Sequence, residues 1–189
     1  MTPEVYQKKI QKIKLVLFDV DGVLTDGSIY VNEASECFKV FNVKDGLGVE
    51  LLRANDIKVG VISGKASPSL NNRIEQLKFD VSVTGCKNKL PSLKDICADL
   101  NVEYSEVCFV GDDVLDLPIM KVCGFSIAPN DAHEYVKEHC DYILDMNGGF
   151  GVARKVADMI LLNQMKSYDK VYEPLMNKIQ YGDLSGIEQ

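Results

Sequence analysis

The chain has 189 residues, 46% apolar and 26% charged, with a net charge of −7. That length suffices for one α/β domain with a real core plus an extension, and the acidic balance excludes non-specific nucleic-acid binding. No apolar run approaches membrane-spanning length, and Met1–Lys14 lacks the apolar centre of a signal peptide, so a cytoplasmic protein is expected.

Residues 1–13 read as an amphipathic lead-in helix starting near Thr2-Pro3-Glu4. Leu15–Phe18 is a continuous apolar run, which suits a strand buried on both faces. It stops at Asp19, with Asp21 two residues on and Gly22 breaking the strand. Ser28–Asn32 and Glu36–Phe41 favour β structure and predict a hairpin through 33–35, beside the two carboxylates. Asn42–Gly46 leads into a helix with Asp45 as its expected N-cap. Lys58–Ile62 is a second strand ending at Ser63-Gly64-Lys65, and Pro68 opens a helix whose stripe is Leu70, Ile74 and Leu77. Val81–Val83 is a third strand, and Lys89 precedes a helix carrying Leu93, Cys97 and Leu100. Val107–Val110 is a fourth, running into Gly111-Asp112-Asp113. Phe125–Ala128 and Tyr142–Leu144 are two further strands around a polar helix at 132–138, and Val152, Val156 and Met159 mark a last helix. Residues 165–189 are polar, contain Pro174 and two glycines, and read as a partly mobile tail. The six cysteines contain no Cys-x-x-Cys pair and read as thiols, not as a disulfide or zinc framework. His133 and His139 show no metal-binding spacing and read as part of a solvated helix.

Strands alternating with helices predict a doubly wound parallel sheet, in which all strand carboxyl ends point one way. One crevice then gathers Asp19 and Asp21, the Ser63 hydroxyl, Lys89, Asp112, Asp113 and Asp116, and several glycine-loop amides. Acids at that density call for a hard cation such as Mg²⁺. A hydroxyl, an ammonium and backbone N–H groups suit a phosphate. One carboxylate can attack phosphorus while a second gives and takes protons. The residues themselves point to Mg²⁺-dependent phosphoryl transfer.

In this order the motifs resemble the haloacid dehalogenase superfamily. Asp19-Val20-Asp21-Gly22-Val23-Leu24-Thr25 is similar to its first motif, Ser63 to its second, Lys89 to its third, and Gly111–Asp116 to its fourth. The resemblance implies a Rossmann-like sheet with a hairpin flap and no large cap domain, one phosphatase domain over 1–164, and a tail over 165–189. It implies Asp19 as nucleophile and metal ligand, and Asp21 as general acid/base giving its carbonyl to Mg²⁺. Asp112 would be a further ligand, Ser63 and Lys89 would hold phosphate, and Asp113 and Asp116 would support them. Leu24–Tyr30, Phe41–Gly46 and Gly148–Arg154 look like the branch acting on 3-deoxy-D-manno-octulosonate 8-phosphate, a step in lipopolysaccharide sugar synthesis. That branch implies a homotetramer with a hairpin-built barrel. It also implies substrate contacts from Asn42, Val43, Lys44, Asp45, Gly46, Gly64, Lys65, Arg73 and Arg154, the last reaching a neighbouring site. Lys65 and Glu50 stand where the branch has Arg, and Lys155 where it has Glu. Lys lacks the bidentate fork of Arg, so a nine-carbon nonulosonate 9-phosphate stays open as substrate. Two readings from other classes compete: a non-catalytic tetramerisation domain, and a phospho-accepting receiver domain. The first would be favoured by loss of the motif acids or lysine, all present here. In the second, the acid pair normally precedes the phospho-accepting Asp.

Overall fold

The computed structural model describes residues 3–33 and 36–182. Six parallel strands form the main sheet: β1 (Leu15–Phe18), β4 (Lys58–Ile62), β5 (Val81–Val83), β6 (Val107–Val110), β7 (Phe125–Ala128) and β8 (Tyr142–Ile143). Their spatial order is β5-β4-β1-β6-β7-β8. The chain runs outward from β1 to one edge, then crosses back and runs from β6 to the other. The order therefore reverses between β1 and β6, the place where an open α/β sheet leaves a crevice. Val16 and Phe18 pack into one core and Leu15 and Leu17 into the other. Side chains alternate along a strand and both faces are covered, so β1 has to be apolar throughout.

One layer holds α1 (Pro3–Ile10), α2 (Val43–Ala54), α3 (Pro68–Leu77), α7 (Val152–Met165) and α8 (Tyr168–Gln180). The opposite layer holds α4 (Lys89–Leu100), α5 (Leu117–Met120) and α6 (Glu134–Lys137). The short strands β2 (Tyr30–Val31) and β3 (Glu36–Phe38) pair antiparallel as the expected hairpin. Residues 34 and 35 of its loop, like residues 1 and 2 of the lead-in helix, lie outside the described residues. Among the described residues no helix is long and apolar enough to cross a membrane. All six cysteines are free thiols.

Three local expectations are corrected. The N-cap of α2 is Asn42, whose side chain accepts from the Lys44 N–H; Asp45 lies inside the first turn. The polar helix expected over 132–138 is one turn, capped by His133. The expected mobile tail is a helix as far as Gln180. Val171 and Leu175, one turn apart, are buried against α2 and α7 and anchor it. Pro174 removes the N–H that the Lys170 carbonyl would accept, but Lys170 is exposed and water can take its place. Asn55, the C-cap of α2, donates to the Val171 carbonyl at 3.0 Å, adding a second tie.

Gly48 sets how closely α2 and α7 cross. A Cβ there would stand 2.5 Å from the Arg154 backbone nitrogen, so a larger residue would force the helices apart. The close approach brings the Asp45 carboxylate to the start of α7, where Oδ1 accepts from Ala153 N–H at 2.8 Å and Arg154 N–H at 3.4 Å. Asp45 thus caps a helix 108 residues away in place of its own.

Candidate active site

The ends of β1 and β6 place Asp19 and Asp112 on either side of the switch point. Asp19 continues the ladder, its N–H donating to the Val110 carbonyl at 2.9 Å. The chain then turns sharply, and Gly22 takes a φ of +86°, a conformation that favours glycine. A Cβ on Gly22 would lie 2.1 Å from Asp112 Oδ2, so the turn also needs glycine to leave room for that carboxylate.

Lys89 opens α4 and reaches across the crevice. Its Nζ lies 2.8 Å from Asp19 Oδ2 and 2.6 Å from Asp116 Oδ1, with only 4% of the side chain exposed. Asp116 is held on its other oxygen by the N–H groups of Asp112 at 3.0 Å and Asp113 at 3.4 Å. Asp113 caps the 3-10 turn at 114–116 and is exposed. Carboxylate oxygens of Asp19, Asp112 and Asp116 all lie within 4.8 Å of one another.

Three acids and one ammonium leave a local excess of negative charge. Burial, then the charge of Asp116, raises the Asp19 pKa to about 6, while Lys89 and the Val20 N–H pull it back. Burial, then Asp19, Asp116 and Asp113, raises that of Asp112 to about 8. Burial would depress Lys89, but the charges of Asp19 and Asp116 carry it above the ordinary lysine value. Asp112 Oδ1 is buried with no hydrogen-bond partner among the described residues. Crowded acids with an unused buried oxygen fit a hard divalent cation, which takes oxygen ligands and neutralises the excess.

A cleft of about 220 Å³ opens over these groups, lined also by Asp21, Ser63, Gly64, Lys65, Lys87 and Leu115. Ser63 is buried at the end of β4 and its Oγ accepts from the Lys65 N–H at 3.2 Å. Asp21 faces Lys39, whose Nζ lies 2.5 Å from its Oδ1. Lys39 in turn lines a second groove with Phe41, Ser69, Asn72 and Arg73. The Arg73 guanidinium lies 6.0 Å from the centre of the Phe41 ring.

The cleft therefore gathers Asp19, Asp21, Ser63, Gly64, Lys65, Lys89, Asp112, Asp113 and Asp116. Asn42, Val43, Lys44, Asp45, Gly46, Arg73 and Arg154 are not among its lining. Arg154 bonds to Asp158 at 3.2 Å and to the Tyr172 hydroxyl on α8 at 2.6 Å. Glu50 is buried against Lys178 at 2.7 Å and Arg53 at 3.3 Å. Lys39 and Lys87 carried no signal in the sequence: the first is a lone lysine in a β-favouring run and the second lies in a polar loop, and only folding brings them to the acids.

Known proteins resemble the chain in both sequence and fold. Residues 79–156 match the haloacid dehalogenase-like hydrolase family. The chain is 42% identical over 161 residues to 3-deoxy-D-manno-octulosonate 8-phosphate phosphatase KdsC of Haemophilus influenzae, covering 85% of this chain and 89% of that one. A solved cobalt-bound deoxy-D-mannose-octulosonate 8-phosphate phosphatase from the same organism superposes with a TM-score of 0.84 at 39% identity, over 89% of this chain and 99% of that one. The Moraxella catarrhalis phosphatase, solved with magnesium, phosphate and KDO, gives 0.85 at 31% identity, over 95% and 100%. On its motifs, its fold and this extent of identity, the chain belongs to the 3-deoxy-D-manno-octulosonate 8-phosphate phosphatase family of haloacid dehalogenase-like hydrolases.

Proposed function

We propose that this protein hydrolyses 3-deoxy-D-manno-octulosonate 8-phosphate to the free sugar acid and phosphate, with Mg²⁺ as cofactor, in lipopolysaccharide sugar synthesis. The observation that carries the reading is the arrangement of Asp19, Asp112 and Lys89 at the switch point of a chain in this family. Asp19 is the nucleophile. Lys89 holds its Oδ2 and, with Ser63 and the amides of Gly64 and Lys65, receives the phosphate oxygens. Attack forms an aspartyl-phosphate on Asp19 as the P–O bond to the sugar breaks, and Asp21 protonates the departing oxygen. Asp21 then accepts a proton from the water that attacks phosphorus and frees Asp19. Asp19, Asp112 and the Asp21 carbonyl are the groups that would hold Mg²⁺, which when bound neutralises phosphate charge.

Glu50, which stands where this branch carries Arg, does not line the cleft and is paired with Lys178 and Arg53. That removes one reason to favour a nine-carbon acid. Lys65 remains at the cleft as a point charge for the substrate carboxylate. A homotetramer is part of the same reading. The apolar side chains of Ile29, Tyr30, Val31 and Phe38 stand exposed on or beside the hairpin and are suited to burial between copies.

The test compares eight- and nine-carbon keto-acid phosphates at equal concentration, with Mg²⁺, for the parent and Asp19→Asn. Preferred release from the eight-carbon ester, lost in Asp19→Asn, is expected. Preference for the nine-carbon ester would move the substrate, and full activity in Asp19→Asn would remove the nucleophile. Light scattering of the eluting protein reads the oligomer directly.

A further inference from the structure

Lys39 has no role in the reaction described above, yet it is placed like a residue that has one. It follows β3 directly, and its side chain is only 2% exposed. Its ammonium lies 2.5 Å from Asp21 Oδ1 and 3.2 Å from Glu36 Oε2. Burial alone would lower its pKa, but the bonds and charges of Asp21, then Glu36, raise it above the ordinary lysine value. Its two bonds run to the hairpin and to the cleft.

Asp21 needs such a hold. It sits on the turn after β1 and a quarter of its side chain is exposed. A carboxylate on a surface turn samples several rotamers, whereas a general acid has to lie within about 2.6–3.2 Å of the leaving oxygen. We propose that Lys39 is a positioning residue for the reaction: fastened to the hairpin through Glu36, it fixes the Asp21 carboxylate by one oxygen and leaves the other for the proton that passes to the leaving group. The inference rests on the reading of Asp21 as general acid. When Asp21 gives up its proton as the P–O bond breaks, the carboxylate left behind lies against the Lys39 charge. The hairpin thereby takes part in the chemistry.

The leaving group distinguishes this from a structural role. A sugar alkoxide needs a proton to depart, whereas the phenolate of 4-nitrophenyl phosphate does not. The full chain is assayed with Mg²⁺ on both esters, as the parent, Lys39→Met, Lys39→Arg, Glu36→Gln and Asp21→Asn. In Lys39→Met, kcat/KM on the sugar acid ester, which reports phosphoryl transfer to Asp19 and not the later hydrolysis that both esters share, falls about tenfold further than on the aryl ester, a part of the roughly 10²–10⁴-fold that a positioned acid supplies. Lys39→Arg recovers most of the difference, Glu36→Gln falls between, and Asp21→Asn shows the same bias more strongly. Equal losses of kcat/KM on both esters in Lys39→Met would overturn the inference. So would weakened inhibition of Lys39→Met by the free sugar acid, in proportion to the loss of kcat/KM, which would make Lys39 a substrate-reading group. If Asp21→Asn keeps the bias and Lys39→Met lacks it, only the positioning role is lost; if Asp21→Asn shows no bias, the acid assignment goes and this inference with it.

Discussion

At the cleft, Asp19, Asp112 and Asp116 crowd around the Lys89 ammonium, whereas in the α2–α7–α8 layer the buried acids stand singly: Glu50 has its own cations, and Asp45 has one oxygen bonded and one buried without a partner among the described residues. Asp45 meets the start of α7 and faces the Arg73 charge; Glu50 holds Lys178 and Arg53. Both regions bury carboxylates beneath helices. They differ in charge balance: the α8 layer is close to neutral, while the cleft carries an excess that only a cation or a proton removes. A buried acid by itself is therefore no sign of catalysis. An uncompensated group of them at a sheet's switch point is one.

The strongest way to break the contrast is to remove the cleft's cation. Lys89→Met leaves Asp19 and Asp116 facing each other in a buried site. It is expected to cost about 3–5 kcal/mol of stability at neutral pH without Mg²⁺, and to abolish hydrolysis. Urea unfolding measures the first, and a change under about 1 kcal/mol would mean that the acids already share protons.

Next comes the divalent ion. Mg²⁺ at a hundred times its Kd should stabilise the folded chain by about 2.7 kcal/mol, read as a rise in Tm over an EDTA control. Asp112→Asn should lose most of that rise. In EDTA it should be no less stable than the parent, because it removes one of the repelling charges. An undiminished Mg²⁺ shift in the variant would place the ion elsewhere.

In the compensated region the effects shrink. Lys178→Met removes one of two partners from Glu50, but 39% of the Lys178 side chain is exposed and water screens it. A loss of about 1–2 kcal/mol is expected, between exposed and buried pairs. A loss as large as that in Lys89→Met would mean that the two regions do not differ as described.

The last effect is one of slope. Burial raises the pKa of Asp45 from 3.8 to about 6, against the N–H groups of Ala153 and Arg154 and the charge of Arg73. The folded state thus binds the proton more tightly than the unfolded chain. The stability this contributes is fully present below pH 3.8 and is lost as pH rises through about 6. Asp45→Asn keeps an oxygen for the Ala153 N–H and has no charge to desolvate. Its stability relative to the parent should climb between those limits and level off above. Parallel curves across that range would remove Asp45 as a source of pH dependence.

What could be read along the chain shares one property. Leu15–Phe18 and Val107–Val110 announce buried central strands because both faces are covered and every residue must be apolar. Acids directly after such strands stand at the crevice of any doubly wound sheet, so the places of Asp19 and Asp112 were legible before their distance was known. Asp45 shows the opposite case. An acid in the first turn of a helix looks like its cap, and the local pattern carries no sign of a second helix start 108 residues on. α8 was obscured for a related reason: Pro174 weakens an isolated helix, and burial of Val171 and Leu175 offsets the defect only once α2 and α7 supply a surface.

The sequence by itself determined the strands, the glycine turn at Gly22 and the order in which acids, hydroxyl and lysine reach the sheet's edge. Those features depend on side-chain alternation and backbone freedom within a few residues. Only the tertiary structure decided that Lys39 clamps Asp21, that Asp45 caps α7, that Glu50 pairs with Lys178 and that the last helix docks. Each of these joins elements that meet only after the chain has folded, where distance and desolvation set the choice of partner.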